Sequence, residues 1–159
     1  MSATGKNYVV DNFTTVYSTP IMAPGTIVES EGFEYRFVQN GNTCTGTVGY
    51  PAVLVGTDGY DITVDLAAAA TNASALFVGI VMGTMATAEY GWVLKSGVYG
   101  TCSVADTVTN IGGLVVLADT DGTFRAATAG DLLNKVPCGY VAEPTAAAAT
   151  GVNIYIDAL

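Results

Sequence analysis

The chain contains no histidine among its 159 residues. That removes the usual general base at neutral pH, the Ser-His and Cys-His nucleophile pairs, and the commonest zinc ligand. Charge is scarce as well: five Lys and Arg stand against fourteen Asp and Glu, a formal net charge of −9. So few cations on so acidic a chain make poor partners for phosphate, which argues against nucleic-acid binding. No apolar run is long enough to cross a bilayer, and the opening MSATGKNYVVDNF lacks the apolar stretch of a signal peptide, so no membrane association is expected. Three cysteines, Cys44, Cys102 and Cys138, are too few and too scattered for a disulfide scaffold. Their odd number suits synthesis in a reducing cytoplasm. They never approach C-x-x-C spacing, and no glycine-rich phosphate loop precedes a helix, so no metal, cofactor or nucleotide site is expected. Asp119, Asp121 and Gly122 open like a calcium loop, but the liganding glutamate at its end is missing and Asp131 is a weak substitute. The better reading there is a hairpin tip. No catalytic residue is assigned, and the expectation is that the chain is not an enzyme.

What remains is half apolar, rich in glycine, and patterned in short alternating runs. Phe77 to Met82 reads as a buried strand and Trp92 to Ser96 as its partner, with Gly97 and Gly100 punctuating the return. Thr26 to Asn40 reads as a hairpin turned at Glu31-Gly32. Phe33, Tyr35 and Phe37 share one face of its second strand; Glu34 and Arg36 lie on the other, placed to interact. Asp61 to Leu66 alternates strictly. The one segment with helix propensity is Ala67 to Ala75, interrupted by Thr71, Asn72 and Ser74. Strands this short and this densely spaced predict an all-β fold, a β-barrel or sandwich. The expected core is Phe33, Tyr35, Phe37, Phe77, Ile80, Trp92, Leu94, Val116 and Ile154.

Two segments echo two others. Val53-Leu54-Val55-Gly56-Thr57-Asp58-Gly59 is matched by Val115-Val116-Leu117-Ala118-Asp119-Thr120-Asp121-Gly122, and Asp-Gly between strand-rich segments signals a hairpin. Gly79 and Gly91 are spaced like Gly139 and Gly151, each first glycine inside an apolar strand and each second one opening the next. Two pseudo-repeated halves follow as an expectation, about Pro51–Gly100 and Ile111–Leu159. Ahead of them, Pro20 and Pro24 isolate the first 25 residues from a single domain spanning residues 26–159. Tyr8, Val9, Val10, Phe13, Val16 and Tyr17 have no clean period. They read as an extended N-terminal arm laid over another surface, ordering only when an assembly partner supplies that surface. Tyr90, Trp92 and Tyr99 offer an aromatic surface on which a sugar would stack, although aromatics at strand spacing pack in cores and interfaces more often.

Three stretches carry a family resemblance. Pro24-Gly25-Thr26 followed by Glu34-Tyr35-Arg36-Phe37-Val38-Gln39-Asn40-Gly41 resembles an opening found in small virion proteins of tailed bacteriophages. Ala88-Glu89-Tyr90-Gly91-Trp92-Val93 with Gly97 resembles a strand of the same class. Gly139-Tyr140-Val141-Ala142-Glu143, an alanine-rich tract and Ile154-Tyr155-Ile156 are similar to the closing strands of phage head decoration, or cement, proteins. The resemblance implies a structural protein on the capsid exterior, made in the host cytoplasm and incorporated in the virion. It also implies contact with the major capsid protein, a homotrimer as the usual state, and stabilisation of the capsid by bridging its subunits. A carbohydrate-binding adhesin or a head or tail fibre module is the alternative; an enzyme built on a carboxylate pair is a third reading without positive support.

Overall fold

A computed structural model describes residues 12–41, 47–55, 60–63, 76–105, 110–118, 122–131, 137–143 and 149–158. The fold is all-β, with no helix among the described residues. Its strands are β1 (Ile27–Ser30), β2 (Phe33–Asn40), β3 (Pro51–Leu54), β4 (Asp61–Thr63), β5 (Phe77–Val81), β6 (Tyr90–Val104), β7 (Leu114–Leu117), β8 (Phe124–Ala126), β9 (Gly139–Val141) and β10 (Ala149–Asp157). The expected helical segment 67–75 and the tip at Asp119 and Asp121 lie outside the described residues.

The pairings close two five-stranded rings that share β6. In the first, β2-β4-β3-β5-β6, strand β6 returns to β2; in the second, β6-β10-β9-β7-β8, strand β8 returns to β6. The second closure is one parallel pair, Val104 with Phe124, beside which the Ala105 N–H donates to the Phe124 carbonyl at 2.8 Å. We call the rings barrel 1 and barrel 2.

The rings repeat one scheme. Strand β3 runs antiparallel to both β4 and β5, as β7 does to both β8 and β9. Strands β5 and β9 are each antiparallel to the long strand that follows, β6 and β10. Each ring then closes through a parallel pair, β2 with β4 and β6 with β8. Residue registers agree as well. Leu54 faces Ile62 as Leu117 faces Phe124, and Ile80 faces Leu94 as Tyr140 faces Tyr155. The glycines that marked the repeat explain themselves. Gly79 and Gly139 have φ of 142° and 153°, and a Cβ on either would run into a backbone carbonyl, that of Leu94 or that of Tyr155. Glycine is the residue that accepts both the backbone angle and the approach.

Strand β6 carries a bulge where it passes from one barrel to the other, and its register on β10 breaks again between Tyr99 and Cys102. Tyr35 faces Leu94 but Glu34 faces Ser96, leaving Lys95 as the extra residue. The bulge shifts the alternation, so Leu94 and Tyr99 pack in the same cluster although they are five residues apart. The outward face of barrel 1 thereby runs into the interior of barrel 2. Val38, Ala52, Ile62, Val78, Val81 and Val93, drawn from all five of its strands, fill barrel 1. Val104, Val115, Phe124, Val141 and Ile154 fill barrel 2, and Phe77, Ile80 and Leu94 of barrel 1 join them at the junction.

One expectation changes. Strand β6 does not return at Gly97 and Gly100; it continues through both to Val104, and the ring of Phe33 lies over Gly97 where a Cβ would sit. Glu34 pairs across strands with Lys95 (3.0 Å), which the bulge places beside it, and its charge also acts on Arg36. Seven of the nine expected core residues are buried; Phe33 and Tyr35 are half-buried.

Candidate assembly surfaces

Residues 12–24 cross the outer face of barrel 1 as a strap. Its first turn is fixed locally: Asn12 Oδ1 accepts from the Thr14 N–H at 2.8 Å and from the Thr14 hydroxyl at 2.6 Å. Held that way, Phe13 stacks on Tyr35 with centroids 3.7 Å apart and meets Trp92 edge-on at 5.2 Å. The chain then passes directly over Gly83, where a Cβ would collide with the Thr14 carbonyl and the Val16 side chain. Val16 packs against the barrel 1 cluster. Tyr17 forms an antiparallel bridge with Tyr90, each N–H donating to the other's carbonyl at 2.8 Å. At the exit, the Gly25 N–H donates to the Phe37 carbonyl at 2.7 Å.

Beneath the strap the two central motifs of the sequence meet. Phe37 faces Trp92, Val38 faces Gly91 and Gln39 faces Tyr90, so the EYRFV stretch on β2 and the EYGWV stretch on β6 form one ladder. Phe37 lies 5.1 Å from Trp92, 6.1 Å from Tyr90 and 6.1 Å from Tyr17, centroid to centroid. Neighbouring aromatics at these separations stabilise one another beyond the area they bury. Burial under the strap raises the Tyr35 phenol above its ordinary pKa, with Glu31 adding to the effect.

The expected site residues separate accordingly. Phe13, Val16 and Tyr17 lie on the chain's own barrel rather than waiting for a partner, because β2 and β6 present aromatics outward that only a covering segment can bury. Tyr8, Val9 and Val10 lie outside the described residues. Trp92 is not a surface residue: it is fully buried between Phe13 and Phe37, and its indole N–H has no acceptor among the described residues. Tyr90 stays half-buried beside the strap. Tyr99 lies further along β6, beyond the expected return at Gly97, and packs against the barrel 2 core. The three therefore form no common sugar platform. The aromatic pair on the outside of barrel 2 is a different one, exposed Tyr140 stacked on half-buried Tyr155 at 4.7 Å and 11°. Their i+2 alternation with buried Val141, Ile154 and Ile156 was the available signal.

Polar chemistry is concentrated at one place. Asp131 receives both guanidinium nitrogens of Arg125 (2.6 and 2.5 Å), together with the Thr128 N–H and hydroxyl. The Arg125 and Thr128 bonds hold its carboxyl well below the usual carboxylate range. These contacts lock the turn after β8 and occupy Asp131, so it is not the end ligand of a calcium loop. Among the described residues no three His, Cys, Asp or Glu side chains gather as metal ligands. Burial pushes the Cys102 thiol up to about 12, which suppresses thiolate chemistry there. No helix is long and apolar enough to cross a membrane among the described residues. Comparison with protein-family models and with curated proteins finds no match for the chain.

Proposed function

We propose that this is a structural virion protein that binds the outside of an icosahedral phage capsid and stabilises it by bridging neighbouring subunits of the major capsid protein, as a homotrimer. The observation that carries the reading is the ladder beneath the strap. The two stretches on which the resemblance to decoration proteins chiefly rests are more than fifty residues apart in sequence, yet they pair residue for residue as one aromatic sheet. A chance likeness of two short motifs gives no reason for them to meet. The remaining features are consistent with a scaffold: two closed barrels, few charges, and an arginine and aspartate spent on locking a turn. A repeated surface on a symmetric lattice gains attachment strength by avidity, so modest contacts suffice.

The test is addition of purified protein to expanded heads that lack it, assembled from the major capsid protein of the phage that encodes this chain. Density on the outer surface in electron cryo-microscopy and a raised temperature of head disruption are the expected results. Heads that stay bare at saturating protein remove the proposal. In that case glycan-array binding that depends on Tyr140 and Tyr155 would move the reading to the adhesin alternative.

A further inference from the structure

The repeat makes the outside of barrel 2 comparable, position by position, with the outside of barrel 1. On barrel 1 a transverse row runs Pro51–Ile80–Leu94–Tyr35, each residue the cross-strand partner of the next on β3, β5, β6 and β2. On barrel 2 the equivalent strands carry Leu114–Tyr140–Tyr155–Val98, again each the partner of the next. The Gly79 and Gly139 collisions, with the carbonyls of Leu94 and Tyr155, fix the two rows in the same frame.

The rows differ in what covers them. Ile80 and Leu94 are 0 % and 1 % exposed, buried against the barrel 2 core, and Phe13 of the strap seals Tyr35. Leu114, Tyr140 and Val98 are 42 %, 41 % and 45 % exposed. Three exposed uncharged side chains and the half-buried Tyr155 thus form a row across four adjacent strands. Asn153 and Asp157 flank Tyr155 on the same face, and the Asn153 amide donates to the Glu143 carboxylate at the rim. An apolar centre with a polar rim is the make-up of a protein interface.

We infer that the Leu114–Tyr140–Tyr155–Val98 row is a docking surface for a second copy of this chain. The internal repeat identifies the occupant: Ile80 and Leu94, the centre of the equivalent row of barrel 1, are buried by another barrel of the same polypeptide. A barrel from a neighbouring copy extends that packing by one step. Because the covering surface differs from the row itself, the contact is heterologous, and a heterologous contact that closes on itself makes a ring. The inference rests on the oligomeric part of the proposed function and not on the capsid part.

Sedimentation velocity of the purified full chain tests it, without heads. The parent should sediment as a closed oligomer. Tyr140→Lys combined with Leu114→Lys should sediment as a monomer, with the dissociation constant raised by about 30-fold or more, the scale of a central aromatic anchor. Val98→Lys, at the other end of the row, should act in the same direction, while Val48→Lys on barrel 1 should not. Unchanged far-UV circular dichroism establishes that the variants are folded; if the double variant misfolds, Val98→Lys decides alone. A monomeric parent overturns the inference, as does an oligomer that survives these substitutions. A protein that oligomerises through the row but leaves heads bare upholds the inference and removes the capsid reading; a monomer that decorates heads does the reverse.

Discussion

Barrel 1 and barrel 2 share a pairing scheme, a strand and a pair of buried glycines, yet one is covered on its outer face and the other is open. The difference does not come from the strands. It comes from what each barrel has beside it. Barrel 1 has the junction on one part of its outer row and the strap on the rest, so its outward residues are Ile80, Leu94, Tyr35, Phe37 and Trp92, the make-up of a core. Barrel 2 has no further segment among the described residues over β7, β9 and β10, and its outward residues are tyrosines with leucine and valine. Tyrosine suits a position that is wet in the lone chain and dry in a complex, because one end of the ring is apolar and the other is polar.

The largest effect should come where the barrels are alike. Gly79→Val and Gly139→Val each force a β-branched side chain onto a positive φ and into a carbonyl. Each should destabilise by about 4 kcal/mol or more, the range reserved for such steric faults. Urea unfolding of the two variants measures this. A large loss at Gly79 and a small one at Gly139 would break the equivalence of the halves.

Next comes Ile80→Ala, which empties a covered position. The expected loss is about 2–5 kcal/mol, the usual cost of truncating a buried isoleucine. Phe13→Ala should cost less, about 1–2 kcal/mol, because the ring is half-buried and its loss removes one stacked partner while the strap keeps its backbone bridge at Tyr17. Thermal unfolding of the single variant measures it. A melt identical to the parent's would mean that the strap is held by its backbone alone.

The repeat was legible from local chemistry. Gly79 and Gly139, each inside an apolar strand, are short-range signals, set by a positive φ that few residues accept. Strand alternation likewise marked Phe37, Trp92 and Ile154 as buried. The bulge at Lys95 was not legible, because a bulge depends on the register of β2 against β6, and the sequence states no register. Missing it hid the approach of Lys95 to Glu34, while the expected return at Gly97, where the strand in fact continues, placed Tyr99 beside Trp92. The strap was read as waiting for a partner for a related reason: its aromatics have no period of their own, since they follow the outward residues of two strands distant in sequence. The open row was missed because alternation reports that a strand has two faces, not which face another part of the chain will cover.

A smaller, pH-dependent effect separates the barrels at one register position. Val53 faces the buried Thr63 in barrel 1; its counterpart Val116 faces Arg125 in barrel 2, which requires Asp131. The folded-state pKa of Asp131 is depressed, so its contribution to stability is present above the unfolded carboxylate value, about 3.9, and is lost as pH falls below that value. Asp131→Asn should therefore be less stable than the parent at pH 7, and the gap should close on titration toward pH ~2. A gap that stays constant through that range would assign the loss to the turn geometry at Thr128 rather than to charge.

The smallest effect should fall on the residue that occupies the most closely matched position. Tyr140→Thr alters the counterpart of Ile80, on the same strand of the repeat and directly after the equivalent glycine. Threonine keeps the β-branched preference of the strand, so the backbone has no reason to leave its conformation. In the lone chain the substitution removes the stack on Tyr155 and some area that is already in contact with water, and the expected loss is about 0.5–1 kcal/mol. At a protein concentration high enough to populate the oligomer the same substitution should cost more, because stability then includes the contact between copies. The measurement is the urea midpoint of parent and variant at two protein concentrations. If the difference between them grows with concentration, the open row is a covered row whose cover belongs to another molecule. If the difference is the same at both, barrel 2 faces water as it stands, and the two barrels differ because only one of them was ever provided with a neighbour.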